Sequence, residues 1–242
     1  SETRDELSET LIAQGRRRID EALEGTMVPE RLGRYEIVRR IGEGGMGVVY
    51  EAMQESPRRR VAIKLLHPSL STPQRTRRFI QEGELLGRLH HPGIAQIHEA
   101  GMHDLGSGAQ PFFAMEFVDG VDLRTYCDRE RLDSAARLEL LARVCDAHER
   151  DVIHRDLKPD NVLVDELGQP KVLDFGIARA TRTSTVLSTI VTEDGQLVGT
   201  LPYMAPEQLS GAPGGITERV DVYALGVLGF ELLAGRLPHA IE

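Results

Sequence analysis

Four glycines within six residues, Gly42, Gly44, Gly45 and Gly47 in IGEGGMGVVY, constrain this chain more than any other stretch. Residues without a Cβ let the main chain approach a bulky anion such as phosphate, so the run predicts a nucleotide site. The string G-x-G-x-x-G serves more than one kind of nucleotide site and does not by itself choose among them. The residues just after it make the choice. A dinucleotide fingerprint passes straight into a helix whose N-terminus carries the pyrophosphate. Here the chain continues as VVYEAM, rich in β-branched and aromatic residues, turns at SPRRR (56–60) and resumes as VAIKLL (61–66). Both runs read as strands, so the glycines sit in a strand–turn–strand flap and a dinucleotide fold is excluded. No Gly-Lys-Ser/Thr comes next, which excludes a Walker loop as well.

Composition narrows the rest. A chain of 242 residues can bury a large core as one domain or two lobes. The net charge of −9 argues against nucleic acid as a partner, and the arginine runs at 16–18 and 58–60 read as solvated faces. Two cysteines, Cys127 and Cys145, suit a reducing, cytoplasmic compartment rather than a disulfide framework. The eight histidines show no zinc spacing. The polar start SETRDELSET has no apolar core of a leader. The most apolar run, VYALGVLGFELLAG (222–235), is too short for a membrane span and carries Glu231. It is expected as a buried helix, and the chain as a protein without a membrane segment.

The order of patterns predicts an α+β chain. Residues 1–33 are charged, with helical spacing at Leu7, Leu11, Ala22 and Leu23 and a break at Gly25 and Pro29, and are expected as an extension outside the main domain. Strands are expected from Tyr35 to about Leu66, a helix over 75–89, and two more strands around a glycine-bearing loop at 106–110. From Asp119 onward the spacing is helical. Strands first and helices later fit two lobes rather than alternating units.

Further motifs come after the glycines in order: VAIK ending at Lys64, VIHRDLKPDNVLV (152–164), VLDFGIAR (172–179), GTLPYMAPE (199–207) and DVYALG (221–226). Over Arg34–Glu242 the chain resembles the eukaryotic-like (Hanks-type) Ser/Thr protein kinases of bacteria. The resemblance implies the bilobal kinase fold: a small antiparallel sheet as N-lobe and hinge at 34–118, and a helical C-lobe at 119–242. It implies ATP and Mg²⁺ as cofactors and a protein Ser/Thr hydroxyl as acceptor, with self-association for trans-autophosphorylation as a further expectation.

Residue by residue, the resemblance assigns Gly42, Gly44 and Gly47 to the β- and γ-phosphates and Lys64 to the α- and β-phosphates, with Glu82 orienting Lys64. Glu84 is the nearby alternative, two residues off on the helix. Asp156 is the expected base, Lys158 neutralises the γ-phosphate, and Asn161 and Asp174 offer oxygen ligands to Mg²⁺. Val49, Ala62 and Leu163 would sandwich adenine, Met115 would guard the back pocket, and Glu116 and Val118 would read the adenine edge through their backbones. His154 and Phe175 are expected to pack between the lobes. Lys158 and Thr200 match the Ser/Thr branch. Arg155, Arg78 and Arg179 fall where the family places ligands of an activation-loop phosphate, with Thr192 the first choice of acceptor, since position 196 is Gln196.

Two departures stand out. The helix before the catalytic loop, RLELLARVCDAHERDVIH, is about four residues shorter than in relatives, roughly one turn or 6 Å, which keeps its apolar face in phase. The family's domain also continues past the position of Glu242 with helices that cover the helix at 220–234 and supply an arginine for Glu207. The C-lobe is therefore expected to be incomplete and the domain C-terminally truncated. The alternative function is accordingly a weak or inactive kinase fragment or pseudokinase, acting as a nucleotide-binding or interaction module.

Overall fold

A computed structural model describes residues 29–44, 47–66, 73–104, 108–148, 153–173, 201–210 and 216–239. Six strands form one sheet: β1 (Arg31–Leu32), β2 (Tyr35–Gly44), β3 (Gly47–Gln54), β4 (Arg59–Leu66), β5 (Ile97–Asp104) and β6 (Ala109–Glu116). Their order is β1-β2-β3-β4-β6-β5, antiparallel throughout. The sheet takes in Arg31–Leu32, ahead of residue 34, and Leu32 is wholly buried. Tyr35 on β2 donates its hydroxyl to Glu99 Oε2 on β5 at 2.5 Å, although three strands lie between them. The sheet is thus curled enough to bring β2 and its far edge β5 within hydrogen-bonding reach. Burial, then the bond to Glu99, push the Tyr35 hydroxyl up to about 12.

Strand alternation divides the sheet's apolar residues between two clusters. One face carries Tyr50, Ala52, Val61, Ile63, Leu65, Phe112 and Ala114 over Leu32 and Tyr35. The opposite face carries Ala62, Phe113, Met115 and Ile97 into the main core, with Val49 packed against it. Against that face lies α1 (Pro73–Leu86), whose Phe79 stacks on Phe113 with ring centroids 3.8 Å apart. The approach is close enough that a Cβ at Gly83 would sit 2.4 Å from the Phe113 ring. The helix expected over 75–89 starts at Pro73, which suits a first helical position, and ends at Leu86 just before Gly87.

The remaining elements are mainly helical. Helices α2 (Leu123–Arg129) and α3 (Ser134–His148) start at Asp122 and Asp133, whose carboxylates accept from the Thr125 and Ala136 amides. Helix α3 carries an apolar stripe, with Leu140, Val144 and Ala147 all buried. A small sheet of β7 (Gly120–Asp122), β8 (Val162–Asp165) and β9 (Pro170–Val172) carries the loop after α3. Then come the short helix α4 (Pro206–Ser210) and the apolar helix α5 (Arg219–Ala234), which stops at left-handed Gly235. The α+β, two-lobed expectation is met. Among the described residues no helix is long and apolar enough to cross a membrane.

One histidine in the sheet carries a pH dependence. Burial, then the charge of Arg59, hold the His98 imidazole below its ordinary value, against the opposing pull of Glu116. A histidine lowered on folding contributes its stability in full above the unfolded pKa of 6.5 and loses it as pH falls through the folded value. Urea midpoints taken from about pH 7.5 down to about pH 5 should therefore fall less steeply in His98→Gln than in the parent chain. Equal slopes would show that His98 carries none of this dependence.

Candidate active site

The loop between α3 and β8 is built from the inside out. His154 is wholly buried. Its backbone N–H donates to Asp221 Oδ2 at 2.6 Å, and the next N–H, of Arg155, donates to Asp221 Oδ1 at 2.7 Å. Asp221 is itself fully buried in the first turn of α5, so one carboxylate holds two successive amides 66–67 residues away. The His154 ring extends the grip. Asp156 N–H donates to Nδ1 at 3.2 Å, which makes Nδ1 the acceptor and leaves the proton on Nε2. Nε2–H then donates to the Leu173 carbonyl at 2.7 Å, directly before Asp174 in sequence. His154 therefore does structural work, joining the loop to the strand that leads to Asp174.

Asp156 and Asn161 are brought together. Asn161 Nδ2 donates to the Asp156 carbonyl at 2.6 Å and reaches its Oδ2 at 3.3 Å. The single turn Pro159–Asn161 permits this, with Asn161 N–H closing on the Lys158 carbonyl at 3.0 Å. With its nitrogen committed, the Asn161 amide presents Oδ1, a hard oxygen donor of the kind magnesium prefers. Lys158 is largely buried and stands 3.9 Å from the exposed Asp160 carboxylate. The carboxylate expected at this loop, Asp156, is thus placed beside an amide, while the ammonium of Lys158 stands near Asp160, a residue the motif reading did not single out.

The sheet places the other residues. Lys64 on β4 is buried and faces Val49 on β3 and Phe113 on β6 as register partners, while Ala62 faces Met115. Val49, Ala62, Lys64 and Met115 thus share one face of the sheet. Gly42 pairs with Val49, and Gly44 with Gly47 across the flap. At Gly47, with φ of 151°, a Cβ would lie 2.0 Å from the Leu65 carbonyl oxygen, so only glycine fits. Helix α1 bears Arg78 and Glu82 on the turn that clamps Phe113, the partner of Lys64; their side chains lie outside the described residues.

Between the sheets, Gly93 C=O accepts from Val172 N–H at 2.8 Å and Ala95 N–H donates to Val172 C=O at 2.9 Å. Beyond Met115, Glu116 pairs with Lys171 Nζ at 2.7 Å and accepts from the Gln96 amide at 3.3 Å. Leu163, half-buried on β8, stands opposite Lys171 and Asp122 in the small sheet. Val118 lines, with Glu116, Leu167 and Lys171, a cavity of about 250 Å³. Asp174, Phe175, Arg179, Thr192 and Thr200 lie outside the described residues.

Three supporting residues escape a reading of the motifs alone: Asp221, Gln208 and Lys171. The signal for Asp221 was available, since a carboxylate inside the most apolar helix needs a specific buried partner. Glu231, on the same helix, meets that need by accepting from the Tyr203 hydroxyl and standing 3.4 Å from Arg124. Burial, then the bond to Glu231, push the Tyr203 hydroxyl well above its ordinary value.

The sequence profile described as the protein kinase domain matches residues 35–242. Serine/threonine-protein kinase PknA of Mycobacterium tuberculosis is 39% identical over 215 residues, covering 86% of this chain and 48% of PknA. Pkn1 of Myxococcus xanthus is 40% identical over 225 residues, covering 89% of this chain and 31% of Pkn1, and PrkC of Bacillus subtilis is 37% identical, covering 85% and 31%. The chain thus spans half or less of the length of these relatives. The crystal structure of the Mycobacterium tuberculosis PknI kinase domain superposes with a TM-score of 0.63 at 29% identity, covering 88% of this chain and 80% of that one. With the ordered motifs, the curled sheet and the Asp156–Asn161 loop in place, the chain belongs to the protein kinase domain family.

Proposed function

We propose that this chain is the catalytic part of an ATP- and magnesium-dependent protein serine/threonine kinase, its domain beginning at β1 rather than at residue 34, since Leu32 is buried in the sheet's core. The observation that carries the reading is the Asp156–Asn161 pair, a carboxylate held beside an amide on a loop anchored by a buried carboxylate. In the reaction, the hydroxyl oxygen of a Ser or Thr side chain forms a bond to the γ-phosphorus. The bond from that phosphorus to the β–γ bridging oxygen breaks, and ADP leaves. Asp156 orients the hydroxyl and accepts its proton. Lys158 offsets charge on the moving phosphoryl group, and Lys64, oriented by Glu82, holds the α- and β-phosphates. The amides of Gly42, Gly44 and Gly47 cover the β- and γ-phosphates. Val49, Ala62, Met115 and Leu163 enclose adenine, while the backbones of Glu116 and Val118 meet its polar edge. Magnesium, held by Asn161 and Asp174, would neutralise phosphate charge.

The relatives named as serine/threonine kinases support Ser and Thr as acceptors. A cytoplasmic setting and trans-phosphorylation between copies belong to the same reading, with Thr192 as first acceptor, Thr200 as part of the Ser/Thr signature and Arg78, Arg155 and Arg179 as phosphate ligands.

The test is intact-protein mass after incubation with Mg-ATP. The wild-type chain should gain one or more phosphates, and Lys64→Met should gain none. Nucleotide binding without added mass, on the protein or on a Ser/Thr peptide, would favour a nucleotide-binding module instead.

A further inference from the structure

Gln208, on the short helix α4, is 5% exposed and uses both ends of its amide. Its Oε1 accepts from the Ala205 N–H at 2.9 Å, and its Nε2 donates to the Arg155 carbonyl, also at 2.9 Å, across 53 residues of sequence. A side-chain amide of this length accepts from one main-chain group and donates to another at the same time, whatever the pH.

The carbonyl it reaches is a particular one. Arg155 has a φ of 70°, the left-handed region that a non-glycine residue keeps only where its surroundings hold it. Its N–H is held by Asp221 Oδ1 at 2.7 Å. The peptide plane that joins Arg155 to Asp156 is then gripped on both edges: Gln208 binds its carbonyl and His154 Nδ1 accepts from its N–H. That plane sets the direction in which the Asp156 side chain leaves the backbone. At its other end Gln208 holds Ala205, fully buried beside the turn Leu201–Tyr203. Tyr203 is in turn fixed by Glu231 of α5.

We propose that Gln208 is a positioning residue that couples the placement of residues 201–205 to the orientation of Asp156. The inference rests on the kinase reading of Asp156, but the coupling itself is a property of the loop and is measured separately. Displacing the 201–205 segment withdraws the Gln208 donor from Arg155, and the Arg155–Asp156 plane is then free to rotate. A rotation that moves the Asp156 carboxylate by about an ångström is enough to lower turnover by up to about 10²-fold.

The experiment compares the full chain with Gln208→Met, which keeps the length and removes both hydrogen bonds, and Gln208→Glu, which keeps the acceptor for Ala205. Amide hydrogen exchange is followed over 153–157 and 201–205, beside kcat and the KM for ATP on a Ser/Thr peptide. In Gln208→Met, exchange over both segments should quicken by about tenfold or more relative to the parent, with kcat lower and the KM for ATP within about twofold. In Gln208→Glu the carboxyl donates to Arg155 only while protonated, so its exchange deficit over 153–157, taken against the parent at each pH, should grow as pH rises. Parent-like exchange in Gln208→Met, or a Gln208→Glu deficit that does not grow with pH, would overturn the coupling. Quicker exchange with unchanged kcat would overturn the positioning role. If the parent chain transfers no phosphate, the kinase reading fails on its own and exchange alone decides the coupling. If Gln208→Met does not fold, Gln208→Glu decides it.

Discussion

Replacing Asp156 by Asn is expected to remove phosphoryl transfer while leaving nucleotide binding in place. The substitution is nearly isosteric, and the strongest contact at this position survives it: Asn161 Nδ2 bonds the main-chain carbonyl of residue 156 at 2.6 Å. The contact to Oδ2, at 3.3 Å, can be remade by the amide oxygen of the new side chain. What disappears is the proton acceptor and its negative charge. A positioned general base is worth about 10²–10⁴ in rate, and a loss in that range is the expected result. Lys64 and the flap glycines lie on the sheet, away from the change, so affinity for Mg-ATP should hold within a few-fold. Initial rates on a Ser/Thr peptide and a titration with a fluorescent nucleotide check the two halves. A folded variant that no longer binds nucleotide, or one that keeps its rate, would remove Asp156 from the role given to it.

The second large effect is expected at Asp221→Ala, and it is an effect on stability as much as on rate. Two terms oppose each other. Removing a fully buried carboxylate relieves the cost of desolvating its charge. Against this, the amides of His154 and Arg155 lose their acceptor, and at His154 burial leaves no route to water. Each buried N–H left without a partner costs about 1–3 kcal/mol, and bonds to a charged acceptor lie at the upper end. The second term wins, for a net loss of about 3 kcal/mol or more, which for a chain of this size lowers the melting temperature by roughly 10 °C. Because the two amides fix the loop that carries Asp156, transfer should fall even well below the melting point. Thermal unfolding and peptide phosphorylation at about 15 °C separate the two consequences. An unchanged melting temperature would show that the loop keeps its shape without this carboxylate.

The fold was legible because its patterns are local. Short runs rich in β-branched and apolar residues, such as VAIKLL, marked the strands, the change to helical spacing after Asp119 marked the second half, and Asp122, Asp133 and Gly235 mark helix ends by chemistry that acts over one turn. Within the site, Lys64, Asp156 and Asn161 were legible as motifs. The groups that hold them were not. Asp221 grips main-chain groups 66–67 residues away and Gln208 one 53 residues away. Main-chain acceptors and donors are the same at every position, so no residue at the receiving end betrays the bond. Only the oddity of the giver, a charge or an amide in an apolar setting, could have marked it.

The stitch between Gly93–Ala95 and Val172 divides the molecule differently from the order of its sequence. Residues 93–95 come after α1 and precede β5, both of which pack with the large sheet, yet they are bonded to β9 and abut α3, where a Cβ on Gly93 would stand 3.0 Å from that of Ala147. The large sheet and α1 are consequently joined to the rest by three short spans: one between Gly87 and Gly93, one of the single residue Gln96 that returns the chain to β5, and one just beyond Glu116. The length of the first span is then a mechanical quantity: one residue added or removed there has to be absorbed either by the stitch to Val172 or by the seating of α1 on the sheet.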